Sequence, residues 1–365
     1  MRSFRQFTFK LWWSFLLLWI AVPAAAGSPP TPPPQPTSGP GGSNYLHAAM
    51  TTFGPYWAAG HASQDRYKYY LYEPANPTPP TAPVVLFLHG WNATEPRAYG
   101  AWIEHMVRKG YTVVWAQYQD SLLTLPFLFA GDAVAAWRDA LTRLDTEAGH
   151  VRPSRDYKGG YNTALMGHSA GGYLSLILAA LAADAAHGIP KPYAVVAVEP
   201  GGLGAIPKVD FSKIDDATYI VLVVGTNDDV ACKSTAQFLW NEIRKVRDAN
   251  KDFLLARSDD HGSPPLYADH YFPATVGFLG DGTALNALDF FVTFKLSVAA
   301  LNCAFKRQDC AYAVGNGRAE QVDMGSWSDG RPVAPMVWTD DPDTLVTVCE
   351  DPPPYGCGSA PASSP

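Results

Sequence analysis

The sequence predicts an α/β domain with a mostly parallel central sheet and helices on both of its faces. Three observations predict it. Short apolar runs alternate with amphipathic stretches from residue 67 to residue 305. Runs such as 84–88 (VVLFL) are apolar at every position, as strands buried on both faces are. One strand, turn and helix unit at 161–174 (YNTALMGHSAGGYL) crowds small residues around a serine.

Taken in order, the first 26 residues place Arg2, Arg5 and Lys10 before the apolar run 11–22, which ends in Pro23 and Ala24 to Ala26. That order is a secretory signal with cleavage after Ala26, and the run is short for a membrane span, so no stable membrane anchor is expected. Residues 27–44 are proline-rich and then glycine-rich, which favours an extended, solvated linker. With 32 Pro and 31 Gly, some of the punctuation has to lie outside a compact core. The folded domain is placed at 45–310, and 311–365 is a loop-rich C-terminal extension.

Within the domain the apolar patterns give strands at 67–72 and 84–88, a helix at 99–109 closed by Gly110, and a strand at 111–117. A helix at 131–146 sets Val134, Trp137, Ala140 and Leu141 on one face. A strand at 163–166 and a helix at 172–186 flank the turn. Strands at 193–198, 219–224 and 252–256, a helix at 235–246 and a long helix at 283–305 complete the domain. In such a sheet, ligands bind beyond the carboxyl ends of the strands.

Gly167-His168-Ser169-Ala170-Gly171 matches G-x-S-x-G, the nucleophile elbow, and its strand, turn and helix setting is the context that gives the motif meaning. A serine hydroxyl becomes a nucleophile when a histidine takes its proton and an acid holds the ring. Ser169 is therefore the candidate nucleophile. Asp228, just beyond the strand at 219–224, is the candidate acid, with Asp229 and Glu199 as alternatives. Two histidines come next in the chain, His261 and His270, and loop length alone favours His261. Developing oxyanion charge needs two donors, for which the backbone N–H of Ala170 and that of Trp91 are suited. Asp259, Asp260 and His261 are too close in sequence to turn toward one ion together, so no metal is expected, and no cofactor is needed.

A formal net charge of −7 with no basic stripe excludes a nucleic-acid footprint and suits an uncharged substrate. Export allows disulfides, and the five cysteines include two locally spaced pairs, Cys303 with Cys310 and Cys349 with Cys357. Cys232 is then a free thiol or the partner of a more distant cysteine.

Together these residues resemble the α/β-hydrolase superfamily, and within it the secreted bacterial cutinase-like and polyester-hydrolase esterases, over roughly 67–305. The resemblance rests on Gly90-Trp91 after the strand at 84–88, on Gly167 to Gly172 (GHSAGG) and on 268–273 (ADHYFP). It implies His270 as the base. Dienelactone hydrolases and chlorophyllases are similar too. The function it implies is a secreted serine esterase or lipase acting on a small or polymeric ester, with a periplasmic or extracellular location. Competing readings are a non-catalytic binding protein on the same fold, and an acyltransferase or peptidase using the same residues.

Overall fold

The computed structural model describes residues 28–275 and 284–349. The signal segment 1–26 and Cys357 lie outside them. Nine strands form the main sheet among the described residues. In chain order they are β1 (Ala49–Trp57), β2 (Lys68–Ala75), β3 (Val84–Leu88), β4 (Thr112–Ala116), β5 (Thr163–His168), β6 (Ala194–Val198), β7 (Tyr219–Gly225), β8 (Lys251–Ala256) and β9 (Val337–Thr339). Their spatial order is β1-β2-β4-β3-β5-β6-β7-β8-β9. From β4 through β8 every pairing is parallel, while β1 with β2, β2 with β4, and β8 with β9 are antiparallel.

Every residue of β3 to β6 is buried, because helices cover both faces. Side chains of a strand alternate between faces, and β3 shows it. Val85 and Phe87 pack with α1 (Gly100–Arg108) and α5 (Lys295–Lys306). Val84, Leu86 and Leu88 pack with α2 (Phe129–Thr146), α3 (Ala170–Leu181) and α4 (Ser234–Glu242). Crossovers from each parallel strand to the next place the loops after β3, β5, β6 and β7 on one edge, where a site can assemble. Strand order, direction and the turn between β5 and α3 are those of the α/β-hydrolase fold.

The predicted helix at 283–305 is a π-helical turn, Asp289–Phe294, running into α5. Two edge elements differ from expectation. β1 and β9 lie at opposite edges of the sheet and carry no apolar run, since each pairs along one side only.

The proline-rich segment corrects the expected solvated linker. Pro33, Pro40, Gly41 and Gly42 are buried. His105 Nε2 lies 2.8 Å from the Pro40 carbonyl, and Lys109 Nζ donates to the Gly39 carbonyl at 2.9 Å. The segment straps the end of α1. It also reaches the C-terminal extension, where Thr31 N–H donates to Ser328 Oγ. Proline has no N–H to leave orphaned, so its burial costs only an acceptor, and at Pro40 the His105 ring of α1 reaches that carbonyl.

The cysteine pairing is corrected as well. Cys303 bonds Cys310 as spaced, but Cys349 bonds Cys232, 117 residues away, rather than Cys357. Spacing favoured the local partner, yet the extension folds back over the loop after β7 and brings Cys349 there. No helix among the described residues is long and apolar enough to cross a membrane.

Candidate active site

The turn after β5 holds Ser169 at φ 54°, a left-handed value that a β-carbon disfavours. The turn can be this tight because its neighbours lack side chains. A β-carbon on Gly167 would lie 2.4 Å from the carbonyl of Gly171, and one on Gly171 would lie 2.1 Å from the Leu88 oxygen. Ser169 N–H donates to the Val198 carbonyl at 3.0 Å, which ties the turn to the end of β6. The hydroxyl is thereby fixed at the carboxyl edge of the sheet.

The loop after β8 brings His270 to that hydroxyl. His270 Nε2 lies 2.8 Å from Ser169 Oγ, and Nδ1 lies 3.0 Å from Asp228 Oδ2. All three residues are buried. The second Asp228 oxygen accepts the N–H groups of Val230 and Ala231 at 2.9 Å each. Burial pushes the Asp228 carboxyl up, but His270 and these two N–H donors outweigh it and hold the group below its ordinary value. An ionised Asp228 can only accept, so Nδ1 carries the proton and Nε2 is left to accept from the Ser169 hydroxyl.

Of the alternatives, His261 is turned away. Its Nε2 pairs with Asp329 at 2.7 Å and its Nδ1 accepts from Arg331 at 2.8 Å, at the surface. Asp259 accepts from Trp327 Nε1 and the Ala334 N–H, so this stretch docks the C-terminal extension. Asp229 is exposed.

Trp91 lines the cleft over Ser169, and Ala170 follows Ser169 directly. Gly90 N–H donates to Tyr99 Oη at 2.9 Å and Asn92 N–H to Gln119 Oε1 at 2.7 Å, which fixes the loop on either side of Trp91. The Trp91 ring meets Phe129 edge-on at 5.2 Å. Ala170 opens α3, where helix N–H groups lack intrahelical acceptors. A cavity of about 330 Å³ lies over Ser169 and is walled by Trp91, Ala93, Leu122, Val230, Ala231 and Ala274, so its lining is mainly apolar.

Two features escape a reading of the sequence. First, Tyr99 Oη lies 2.9 Å from His168 Nδ1, and His168 Nε2 donates to the His270 carbonyl at 2.7 Å. Burial, then the nearby His270, push His168 down to about 3, so it is a neutral brace between the Gly90 loop and the His270 backbone. His168 is the variable residue of the elbow motif, and the motif gives no reason to notice it. Second, Val230 and Ala231 hold Asp228. Glu199, the other alternative acid of the sequence, lies at the end of β6 fully buried, at φ 48°, with Oε2 at 3.8 Å from His270 Nδ1 and 3.6 Å from His168 Nε2. Neither Glu199 oxygen has a hydrogen-bond partner among the described residues.

His168, Glu199 and His270 offer ligand atoms within 4.8 Å of one another. The two ring nitrogens facing Glu199 are committed as donors, one to the His270 carbonyl and one to Asp228. A cation there would meet hydrogens rather than lone pairs, so the cluster is not arranged as a metal centre.

No family model matches this chain, and no curated protein matches it. Among solved structures it is similar to esterase B from Lactobacillus rhamnosis, crystallised with a C4-C4 SN3 tributyrin phosphonate inhibitor. The identity is 18%, the TM-score is 0.45, and the match covers 58% of this chain and 75% of that one.

Proposed function

We propose that this chain is an exported serine hydrolase that cleaves carboxylic esters through an acyl-enzyme. The observation that carries the reading is the unbroken hydrogen-bonded series from Ser169 Oγ through both nitrogens of His270 to an ionised Asp228. Ser169 Oγ attacks the ester carbonyl as its proton passes to His270 Nε2, and Asp228 stabilises the imidazolium. The backbone N–H groups of Trp91 and Ala170 receive the oxyanion, each donor being worth about 10² to 10³ in rate. On collapse His270 gives its proton to the leaving alkoxide. Water, deprotonated by His270, then attacks the acyl carbon, and His270 returns that proton to Ser169 Oγ as the acyl–oxygen bond breaks.

The apolar lining of the cleft supports an uncharged acyl group, and with it an esterase of the cutinase-like or polyester-hydrolase type. Two disulfides among the described residues support an oxidising, exported setting. The test is Ser169→Ala, assayed with a fluorophosphonate probe and with short p-nitrophenyl esters. Both labelling and turnover are expected to vanish. Retention of either at wild-type level would overturn the proposal.

A further inference from the structure

We infer that Glu199 is a second acid for His270, held in reserve behind Asp228 and able to take its place. The inference rests on the serine-hydrolase reading and assigns a positioning residue within that site. Strands β6 and β7 are neighbours, so the chain leaving each of them arrives on the same side of the His270 ring. Asp228 Oδ2 and Glu199 Oε2 approach the same Nδ1, at 3.0 and 3.8 Å. Glu199 is fully buried and both its oxygens lack hydrogen-bond partners among the described residues, which is costly for a side chain with no task. The fold also makes room for it. Glu199 sits at positive φ, and a β-carbon on Gly225, at the end of β7, would lie 2.5 Å from Glu199 Oε1.

The groups facing Glu199 explain why it stands idle while Asp228 is present. His168 comes from β5, Asp228 from the loop after β7, and Asp269 and His270 from the loop after β8. Burial first, then Asp228 and Asp269, raise its carboxyl well above the ordinary value, so it keeps its proton. Two anions against one imidazole would repel, and the one with backbone donors is the one that ionises. Without the Asp228 charge, Glu199 loses its proton to solvent more readily. Its oxygen can then accept the Nδ1 proton of His270, the bond Asp228 makes now.

The choice of substitution matters. One side of Asp228 is bound by the Val230 and Ala231 N–H groups, so in Asp228→Asn the amide oxygen stays there and the NH₂ points at Nδ1. That enforces the wrong tautomer, which costs about 10⁴-fold in a serine-protease triad. Asp228→Ala instead opens the space to Glu199. Asp228→Ser does the same and keeps a hydroxyl for the two N–H groups should the alanine variant not fold.

The experiment measures kcat/KM for p-nitrophenyl butyrate against pH in Asp228→Ala, Asp228→Ser and Asp228→Asn, each with and without Glu199→Gln. The expected result is that alanine or serine costs about 10²-fold, less than asparagine. The acidic limb of the alanine or serine variant moves to higher pH than in the wild type, because Glu199 must now ionise. Glu199→Gln then costs at least ten times more in the alanine or serine background than in the presence of Asp228, about the size of a strong coupling between contacting residues. The inference is overturned if Asp228→Ala and Asp228→Ser behave like Asp228→Asn. It is equally overturned if adding Glu199→Gln leaves their rates and pH profiles unchanged. In either case loss of activity in Ser169→Ala would leave the serine-hydrolase reading standing.

Discussion

Breaking the Cys232–Cys349 disulfide tests whether the C-terminal extension holds the site together. Cys232 is buried and lies four residues after Asp228, and Ala231 beside it both donates to Asp228 and lines the cleft. Further bonds run the same way. Val348 N–H donates to the Thr226 carbonyl at 2.9 Å, and Trp240 Nε1 to the Asp340 carbonyl at 3.0 Å. The bond closes 117 residues, against 7 for Cys303–Cys310. In the chain-entropy treatment, loops of these lengths are worth about 4.9 and about 2.4 kcal/mol at 25 °C. The paired substitution Cys232→Ser with Cys349→Ser should therefore cost more than Cys303→Ser with Cys310→Ser, by about 2.5 kcal/mol. Urea unfolding of the oxidised proteins gives both free energies, and kcat/KM on a soluble ester below the unfolding transition reports the Asp228 loop. The long-range pair should lose several-fold in kcat/KM and the local pair should not. Equal costs for the two pairs, or a long-range variant with wild-type kinetics, would refute the idea that the extension secures the acid.

The two histidines should separate cleanly: His270→Ala abolishes ester hydrolysis, by about 10⁴-fold or more, while His261→Ala, which loses contacts to Asp329, Arg331 and the Trp327 ring and none to Ser169, stays within a few-fold in the same assay. Asp289 should make stability fall as pH rises. Burial pushes its carboxyl from 3.8 up to about 8, so the fold keeps a proton that the unfolded chain releases, and stability present below pH 4 is lost between pH 4 and 8. Asp289→Asn is accordingly expected to raise the melting temperature at pH 8 and to change it little at pH 4. Leu122, Leu123, Leu125 and Phe127 are exposed, and Leu122 lines the cleft. Leu122→Ser with Leu123→Ser should lower turnover of an emulsified or solid ester several times more than that of a dissolved one, read as the ratio of the two rates.

Much of the fold is legible because single physical demands wrote it into the chain. Strands buried on both faces read as unbroken apolar runs, so β3 to β7 are placed to within a residue or two. The elbow is legible because any β-carbon at Gly167 or Gly171 would collide with backbone. His270 is not legible from spacing, and its resemblance to a family pattern chooses it over His261. The structure shows why loop length misleads. Residues Asp259 and Leu266 pair across a bridge, so the extra chain before His270 folds onto the extension instead of lengthening the reach to Ser169. β9 is invisible because three residues pairing at an edge leave no periodic signal.

The acid poses a different difficulty, since Asp228 and Glu199 each lie just beyond a strand and each could face the site. Sequence ranks them only by convention, because adjacent parallel strands deliver both carboxyls to one ring nitrogen. What separates them is reach, 3.0 Å against 3.8 Å, together with who else is there to receive the charge. Asp228 has two backbone N–H groups and the nearer imidazole hydrogen, and Glu199 has neither. A turn donates such groups only once it has folded around the side chain, so the ionised partner is chosen by the backbone of residues 228–231. Emptying that turn reverses the balance. The imidazole then faces one carboxyl in place of two, and the surviving acid has lost the more strongly acting of the two carboxylates, Asp228 and Asp269, that favour its neutral form.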